Sequence, residues 1–126
     1  MGIDYGAKRV GVALSDEEGE FALPYKVLFN NKDLPDAIKA LCKEKKVAHI
    51  VIGKSENFEG KDNAIMAKIN SFIETLKNKV TIPISLEQEF MTSQEARRIQ
   101  GKNDMNDASA AALILKSYLD KQKSNL

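Results

Sequence analysis

Apolar and small residues alternate along the start of the chain with the two-residue period of β-strands. The clearest case is Arg9–Ser15, where every second residue is aliphatic and the residues between them are small, which predicts a strand packed closely on one face. Gly2–Tyr5 is predicted as the preceding strand, and a hairpin turn at residues 6–8 makes the two strands antiparallel neighbours. Residues 21–29 are predicted as a third strand, which Pro24 favours at the edge of the sheet.

After residue 31 the apolar spacing lengthens to that of helices. Helices are predicted over residues 34–46, which end in a run of positive charge, and over 65–79, which are amphipathic. A further helix is predicted over residues 92–100, where Thr and Glu stand at the spacing of a capping box. An alanine-rich helix is predicted over residues 107–121.

Two more strands are predicted between these helices. Residues 47–52 form a nearly continuous apolar run, which is typical of a central strand buried on both faces, and residues 80–86 form the other strand. The order of elements predicts an α/β fold, a mixed five-stranded sheet of three antiparallel leading strands and then parallel strands, flanked by helices. The length of 126 residues suits a single domain over residues 1–126.

Composition narrows the class of protein but does not name a partner. Hydrophobic residues make up 43% and charged residues 29%, which is ordinary for a folded soluble protein. No apolar run is long enough to span a bilayer and the start does not resemble a signal peptide, so a cytoplasmic protein with no membrane partner is expected. The net charge of +1 neither requires nor excludes nucleic acid as a partner.

The chain offers few ligands for a soft metal. Its lone cysteine, Cys42, can form no internal disulfide and lies among apolar residues, so a buried structural role is expected. The lone histidine, His49, lies in an apolar run and has no cysteine pair nearby in sequence, which does not fit a zinc centre. Any metal site in this chain is therefore expected to use oxygen ligands.

Three acidic residues lie where predicted elements begin or end. Asp4 is in the first strand, Glu89 is just beyond the last strand, and Asp107 opens the last helix. They could converge if both strands share the sheet and the helix packs across it, and close carboxylates suit Mg²⁺ or Mn²⁺. Such ions can hydrolyse phosphodiesters. Each residue also has an ordinary explanation, as a turn, a solvated loop or a helix start, although an acidic residue inside an apolar strand is costly to bury without a cation or donors.

The segment from Gly2 to Asp16 reads GIDYGAKRVGVALSD. It resembles the signature that opens the YqgF/RuvX family, whose members are called pre-16S ribosomal RNA nucleases or Holliday junction resolvase-like proteins. The resemblance extends over nearly the whole chain, through residues 51–60, 89–96 and 107–115.

This resemblance implies a ribonuclease H-like fold and a metal-dependent nuclease. Asp4, Glu89 and Asp107 match the family's acidic positions, so it implies that they are the catalytic residues and the ligands of Mg²⁺ or Mn²⁺. The implied function is hydrolysis of phosphodiester bonds in processing of the 5′ end of pre-16S ribosomal RNA. The chain departs from the family pattern at Phe90, where an arginine is usual, and at residues 54–55, and both departures concern substrate contacts.

Basic residues near the predicted site could contact a nucleic acid backbone. Arg9 matches a basic position of the family, and the other residues predicted to bind nucleic acid are Lys8, Arg97, Arg98 and Lys102, with Lys54 and Lys61 as further possibilities. A solvated helix face explains the same charges about as well. No aromatic platform for unpaired bases is evident in the sequence, so recognition of shape and backbone is expected, on structured RNA or branched DNA.

Three other functions remain open at this stage. The opening segment also resembles the phosphate motif of the actin-like ATPases, but these need two such domains to enclose ATP. An inactive member could bind nucleic acid without cleaving it. A Holliday junction resolvase normally needs two sites related by a twofold axis, and the sequence fits a monomer or a homodimer.

Overall fold

The computed structural model describes residues 1–6, 8–55, 62–89 and 106–124. Within them the chain forms eight elements: β1 (Gly2–Tyr5), β2 (Arg9–Ser15), β3 (Ala22–Phe29), α1 (Leu34–Glu44), β4 (Ile50–Ser55), α2 (Asp62–Lys77), β5 (Ile84–Glu89) and α3 (Asn106–Ser124). The helix predicted over residues 92–100 lies outside the described residues. Among the described helices, none is long and apolar enough to cross a membrane.

The strands form one mixed sheet in the order β3-β2-β1-β4-β5. The β1–β2 and β2–β3 pairs are antiparallel, whereas the β1–β4 and β4–β5 pairs are parallel. This arrangement confirms the predicted α/β class, the mixed sheet and the outer position of the strand that contains Pro24. β1 is the middle strand, and β4, which was predicted as central, lies beside it between β1 and β5.

The two later strands begin further along the chain than predicted. Residues 47–49 do not belong to β4, because the Val47 N–H donates to the Cys42 carbonyl (2.9 Å) at the end of α1. β5 begins after Pro83, which has no N–H to pair and offers only its carbonyl, to the N–H of Ile50 (3.0 Å). As a result, Glu89 is the last residue of β5. The prediction that Glu89 lies just beyond this strand is therefore wrong.

Helices cover both faces of the sheet. Alternate residues of β1 and β4, such as Ile3 and Ile52, are fully buried against apolar residues of α1 and α2. On the other face, Ala13 and Val51 pack against α3. Cys42 belongs to the first core, where burial raises the pKa of its thiol, as expected for the predicted structural role.

The second face depends on an unusually close contact between β1 and α3. A Cβ atom on Gly2 would lie 2.7 Å from the carbonyl oxygen of Ala111 and 2.8 Å from Cβ of Leu115. Both distances are shorter than van der Waals contact allows, so only glycine fits at this position. The alanine-rich start of α3 has the same effect on the helix side, and together they seat α3 directly on the middle strand.

Candidate active site

Asp4 lies near the end of β1, where it pairs with Gly11 of β2. Because successive strand residues face opposite sides, Asp4 shares the face of Gly2, which is the face covered by α3. The residue is half-buried. Asp4 therefore stands inside the sheet, on the side of the alanine-rich helix, as an acidic residue in an apolar strand.

Glu89 ends β5 at the same edge of the sheet. β1, β4 and β5 run parallel, so their last residues, Tyr5, Ser55 and Glu89, mark one edge, called here the carboxyl edge. Glu89 pairs with Ser55 and belongs to the same alternation of positions as Glu87, which contacts α3. For Glu89 and Asp107 the structure describes the backbone only.

The direction of α3 places Asp107 at the carboxyl edge as well. Leu119, near the end of α3, lies beside Gly19 in the β2–β3 turn, which is at the opposite edge of the sheet. The start of the helix therefore points to the carboxyl edge. Toward the carboxyl edge, Asp107 lies one helical turn, about 6 Å, beyond Ala111, and Asp4 lies about 7 Å beyond Gly2. Because Gly2 contacts Ala111, the backbones of Asp4 and Asp107 reach about the same distance along the sheet.

The fold thus brings the backbones of the three predicted acidic residues to one edge and one face, although they are far apart in sequence. Among the residues whose side chains the structure describes, no group of three or more His, Cys, Asp or Glu is placed to hold a metal. Asp4 is the member of the predicted triad whose side chain is described. What converges at the carboxyl edge is therefore the backbone of two strands and one helix.

The predicted nucleic-acid contacts fall into two groups. Lys8 and Arg9, in the β1–β2 turn and at the start of β2, are exposed beside the carboxyl edge. Lys54 lies in β4 near this edge, and its backbone is described. The remaining residues predicted to contact nucleic acid lie outside the described residues: Lys61, Arg97, Arg98 and Lys102.

Sequence reasoning missed a residue that fixes the turn carrying Lys8. The Asn30 N–H donates to the Lys8 carbonyl (2.9 Å), and its side-chain amide donates to the Gly6 carbonyl (2.7 Å). Asn30 follows β3 directly, so it ties the ends of the first three strands together at the carboxyl edge. An asparagine next to another, as Asn30 is to Asn31, indicates a turn but does not show which backbone groups it binds.

Sequence reasoning also missed a buried ionic contact between β5 and α3. The Glu87 side chain is 7% exposed and accepts hydrogen bonds from the Ser117 hydroxyl (3.3 Å) and the Lys121 ammonium, whose own side chain is 61% exposed. Glu87 is two residues before Glu89. This contact helps to set where α3 lies relative to the end of β5.

We expect Lys121→Ala to destabilise the fold more than Glu87→Gln. Loss of the lysine leaves the buried Glu87 carboxylate with too few donors, at a cost of about 1–3 kcal/mol, whereas loss of the carboxylate leaves an ammonium that water can solvate. Urea denaturation at neutral pH measures both free energies of unfolding. Equal losses, or a greater loss in Glu87→Gln, would contradict this account of the contact.

His49 lies at the opposite edge, away from Asp4. Its Nε2 is 2.7 Å from the Ser85 hydroxyl oxygen and its Nδ1 is 3.4 Å from the Tyr118 hydroxyl oxygen. Burial lowers the pKa of the imidazole, and the N-terminal ammonium acts in the same direction. A neutral imidazole that links β4, β5 and α3 explains His49 without a catalytic role.

The same arrangement of strands and helices occurs in solved junction resolvases. RuvC of T. thermophilus, solved in complex with a Holliday junction substrate, matches 97% of this chain and 94% of its own, with a TM-score of 0.63 and 14% identity. The Fowlpox virus resolvase, solved with Holliday junction DNA, matches 96% of both chains with a TM-score of 0.56 and 11% identity. The fold is therefore the ribonuclease H-like fold of these resolvases.

Sequence similarity is more specific than the fold. The family described as "RuvX: Holliday junction resolvase" matches residues 1–121, so the chain belongs to the RuvX family. A relative from Thermoanaerobacter pseudethanolicus is 36% identical over 98% of this chain and 97% of its own length, and one from Nitratidesulfovibrio vulgaris is 33% identical over 97% and 84%. Both are named "Putative pre-16S rRNA nuclease". The family resemblance predicted from the sequence is confirmed, and the chain is a member of a nuclease family.

Proposed function

We propose that this protein is a cytoplasmic, metal-dependent endonuclease that hydrolyses phosphodiester bonds in the precursor of 16S ribosomal RNA. The observation that carries the proposal is the placement of Asp4, Glu89 and Asp107 at the carboxyl edge, on the face covered by α3. Membership of the RuvX family supports nuclease activity. The residue roles, the metal and the RNA substrate are our proposals.

The donor set fits a hard divalent cation. The three proposed ligands are all carboxylates, which suit Mg²⁺ or Mn²⁺ and not a soft metal. The lone histidine and the lone cysteine, His49 and Cys42, are engaged elsewhere in the fold. Asp4 is half-buried in the middle strand, where a carboxylate is costly to desolvate unless a cation or donors offset the cost.

Each part of the site has a separate task. When bound, a divalent ion polarises the phosphoryl oxygen and lowers the pKa of a coordinated water molecule. Asp4 and Glu89, on strands of one sheet, would hold the ion, and Asp107, in the first turn of α3, would supply the third carboxylate. Lys8 and Arg9 are exposed beside the carboxyl edge, where they would neutralise the phosphate backbone and so orient the scissile bond without reading its sequence.

Cleavage of four-way DNA junctions is the second candidate function. The description of the RuvX family and the similarity of the fold to junction resolvases both favour it. Symmetric resolution of a junction requires two active sites related by a twofold axis, so this function predicts a stable dimer, whereas cleavage of precursor RNA does not.

A comparison of substrates tests the proposal. We expect the purified protein, with Mg²⁺ or Mn²⁺, to cleave precursor 16S ribosomal RNA faster than unstructured RNA and faster than a synthetic four-way junction. Chelation with EDTA should abolish cleavage, and excess Mg²⁺ should restore it. Preferential cleavage of the junction by a dimer would favour the second function, and failure to cleave any of the three substrates would exclude the proposed activity.

A further inference from the structure

An exposed aromatic side chain lies close to the proposed metal site. Phe29 is the last residue of β3 and is 76% exposed, the highest value among the large hydrophobic residues that the structure describes. In the sequence, residues 21–29 are predicted as a strand, and no aromatic platform for unpaired bases is evident. The structure leaves this ring in solvent.

The strand register places Phe29 on the same face as Asp4. Gly11 pairs with Asp4 on one side and with Val27 on the other, so these three positions share a face. Phe29 is two residues beyond Val27 and pairs with Arg9, and it therefore keeps that face.

Phe29 also lies at the carboxyl edge. β3 is antiparallel to β2 and so runs in the direction of β1, which means that both strands end at this edge. Phe29 lies two strands away from Asp4 and two residues further along the strand direction. The Cα atoms of these two residues are therefore about 12 Å apart. This is the length of about three to four stacked nucleotides.

The backbone that follows Phe29 is held in place by hydrogen bonds. Asn30 donates one hydrogen bond from its backbone N–H to Lys8 and one from its side chain to Gly6, and the Asn31 N–H donates to the Phe29 carbonyl (3.1 Å). Phe29 is therefore presented on a fixed end of the sheet. The exposed cations Lys8 and Arg9 adjoin it.

We propose that Phe29 stacks on an unpaired base of the substrate and so positions the strand that enters the metal site. An aromatic ring beside cationic side chains is how proteins bind single-stranded nucleic acid, since every base offers a flat π-face. This inference rests on the proposed nuclease function and adds a substrate requirement to it, namely an unpaired nucleotide close to the scissile phosphate. Phe29 is a positioning residue, because it does not reach the reacting atoms.

A second interpretation of the exposed ring is contact with another copy of the chain. β3 is one of the two outer strands of the sheet. It contains Leu23 and is preceded by Phe21, and both residues are also exposed. These two residues lie at the end of β3 away from the carboxyl edge, however, and among the described exposed hydrophobic residues Phe29 alone lies on the face of Asp4 at that edge. A ligand that reaches the metal site accounts for this placement better than a partner strand does.

Binding of single-stranded RNA, measured by fluorescence anisotropy in the Asp4→Asn background without cleavage, tests the inference. We expect Phe29→Ala to weaken binding by about 5- to 150-fold, which is the range for loss of one base-stacking contact. Phe29→Tyr keeps an aromatic ring, so its affinity should be within about twofold of that of the parent protein. The same substitutions should change binding of a blunt RNA duplex by less than about twofold. Phe21→Ala, a matched substitution at the opposite end of the strand, should change neither affinity.

Several outcomes would overturn the role of Phe29. The role is excluded if the parent protein does not bind single-stranded RNA, or if Phe29→Ala binds it as tightly as the parent does. It is also excluded if Phe29→Ala loses as much affinity for the duplex as for the single strand, or if light scattering shows that Phe29→Ala changes the oligomeric state. The binding assay does not depend on catalysis. If the wild type cleaves RNA and Phe29→Ala binds it normally, the inference fails alone; if stacking is found but no substrate is cleaved, the proposed activity fails alone.

Discussion

Replacement of Asp4 by asparagine is expected to lower the cleavage rate of precursor 16S ribosomal RNA by more than about a hundredfold. The amide keeps the size and one acceptor oxygen of the carboxylate but loses the negative charge that a divalent ion requires. Outer-shell partners of metal ligands already cost about 10- to 100-fold when removed, so a direct ligand should cost more. The measurement is kcat/KM at saturating Mg²⁺.

The matched control for this substitution is Asp36→Asn. Asp36 is an exposed acidic residue of α1 that pairs with Lys79 (2.8 Å) on the other face of the sheet. Asp36→Asn removes one negative charge, as Asp4→Asn does, but at a position far from the proposed site. The cleavage rate of this variant should therefore equal that of the wild type. Equal rates for Asp4→Asn and Asp36→Asn, with both variants folded, would show that Asp4 is not a ligand.

Gly2→Ala is expected to have the second largest effect on activity, although Gly2 carries no functional group. The added Cβ would meet Ala111 and Leu115 at distances that force α3 away from β1. Overpacking of this kind costs about 1–3 kcal/mol of unfolding free energy, and a displacement of about 1 Å at a catalytic group can cost on the order of a hundredfold in rate. Cleavage kinetics and urea denaturation measure the two effects.

Ile3→Val separates the positional effect of Gly2→Ala from simple destabilisation. Ile3 is fully buried on the opposite face, so its truncation costs about 0.5–1.5 kcal/mol without touching α3. It should leave the cleavage rate nearly unchanged at temperatures where the protein is folded. If Gly2→Ala cleaves as fast as Ile3→Val, the seating of α3 on β1 does not govern the site.

The sequence predicts the local elements of this fold better than their ends. The alternation in Arg9–Ser15 and the helical spacing after residue 31 are properties of neighbouring residues, so the strands and helices could be predicted from them. The limits of β4 and β5 depend on which backbone groups meet across the sheet. Pro83 pairs through its carbonyl alone and His49 bonds to Ser85 and Tyr118, and neither contact is visible in a local pattern.

The proposed site could be predicted from the sequence only where one of its residues departs from the local pattern. Asp4 is an acidic residue in an apolar strand, which marks it without any knowledge of the fold. Glu87 and Phe29 carry no such mark, because a glutamate and a phenylalanine in strands are ordinary until the partner across the sheet is known. Their roles depend on tertiary packing, by α3 over Glu87 and by the open end of the sheet at Phe29.

Diffraction from crystals soaked in Mn²⁺ would show whether Asp4, Glu89 and Asp107 hold one divalent ion, as proposed. The anomalous difference map should show a peak bounded by carboxylate oxygens of all three residues, and this peak should be missing from crystals of Asp4→Asn. A peak at another place in the fold, or none at saturating Mn²⁺, would contradict the metal site and the mechanism built on it.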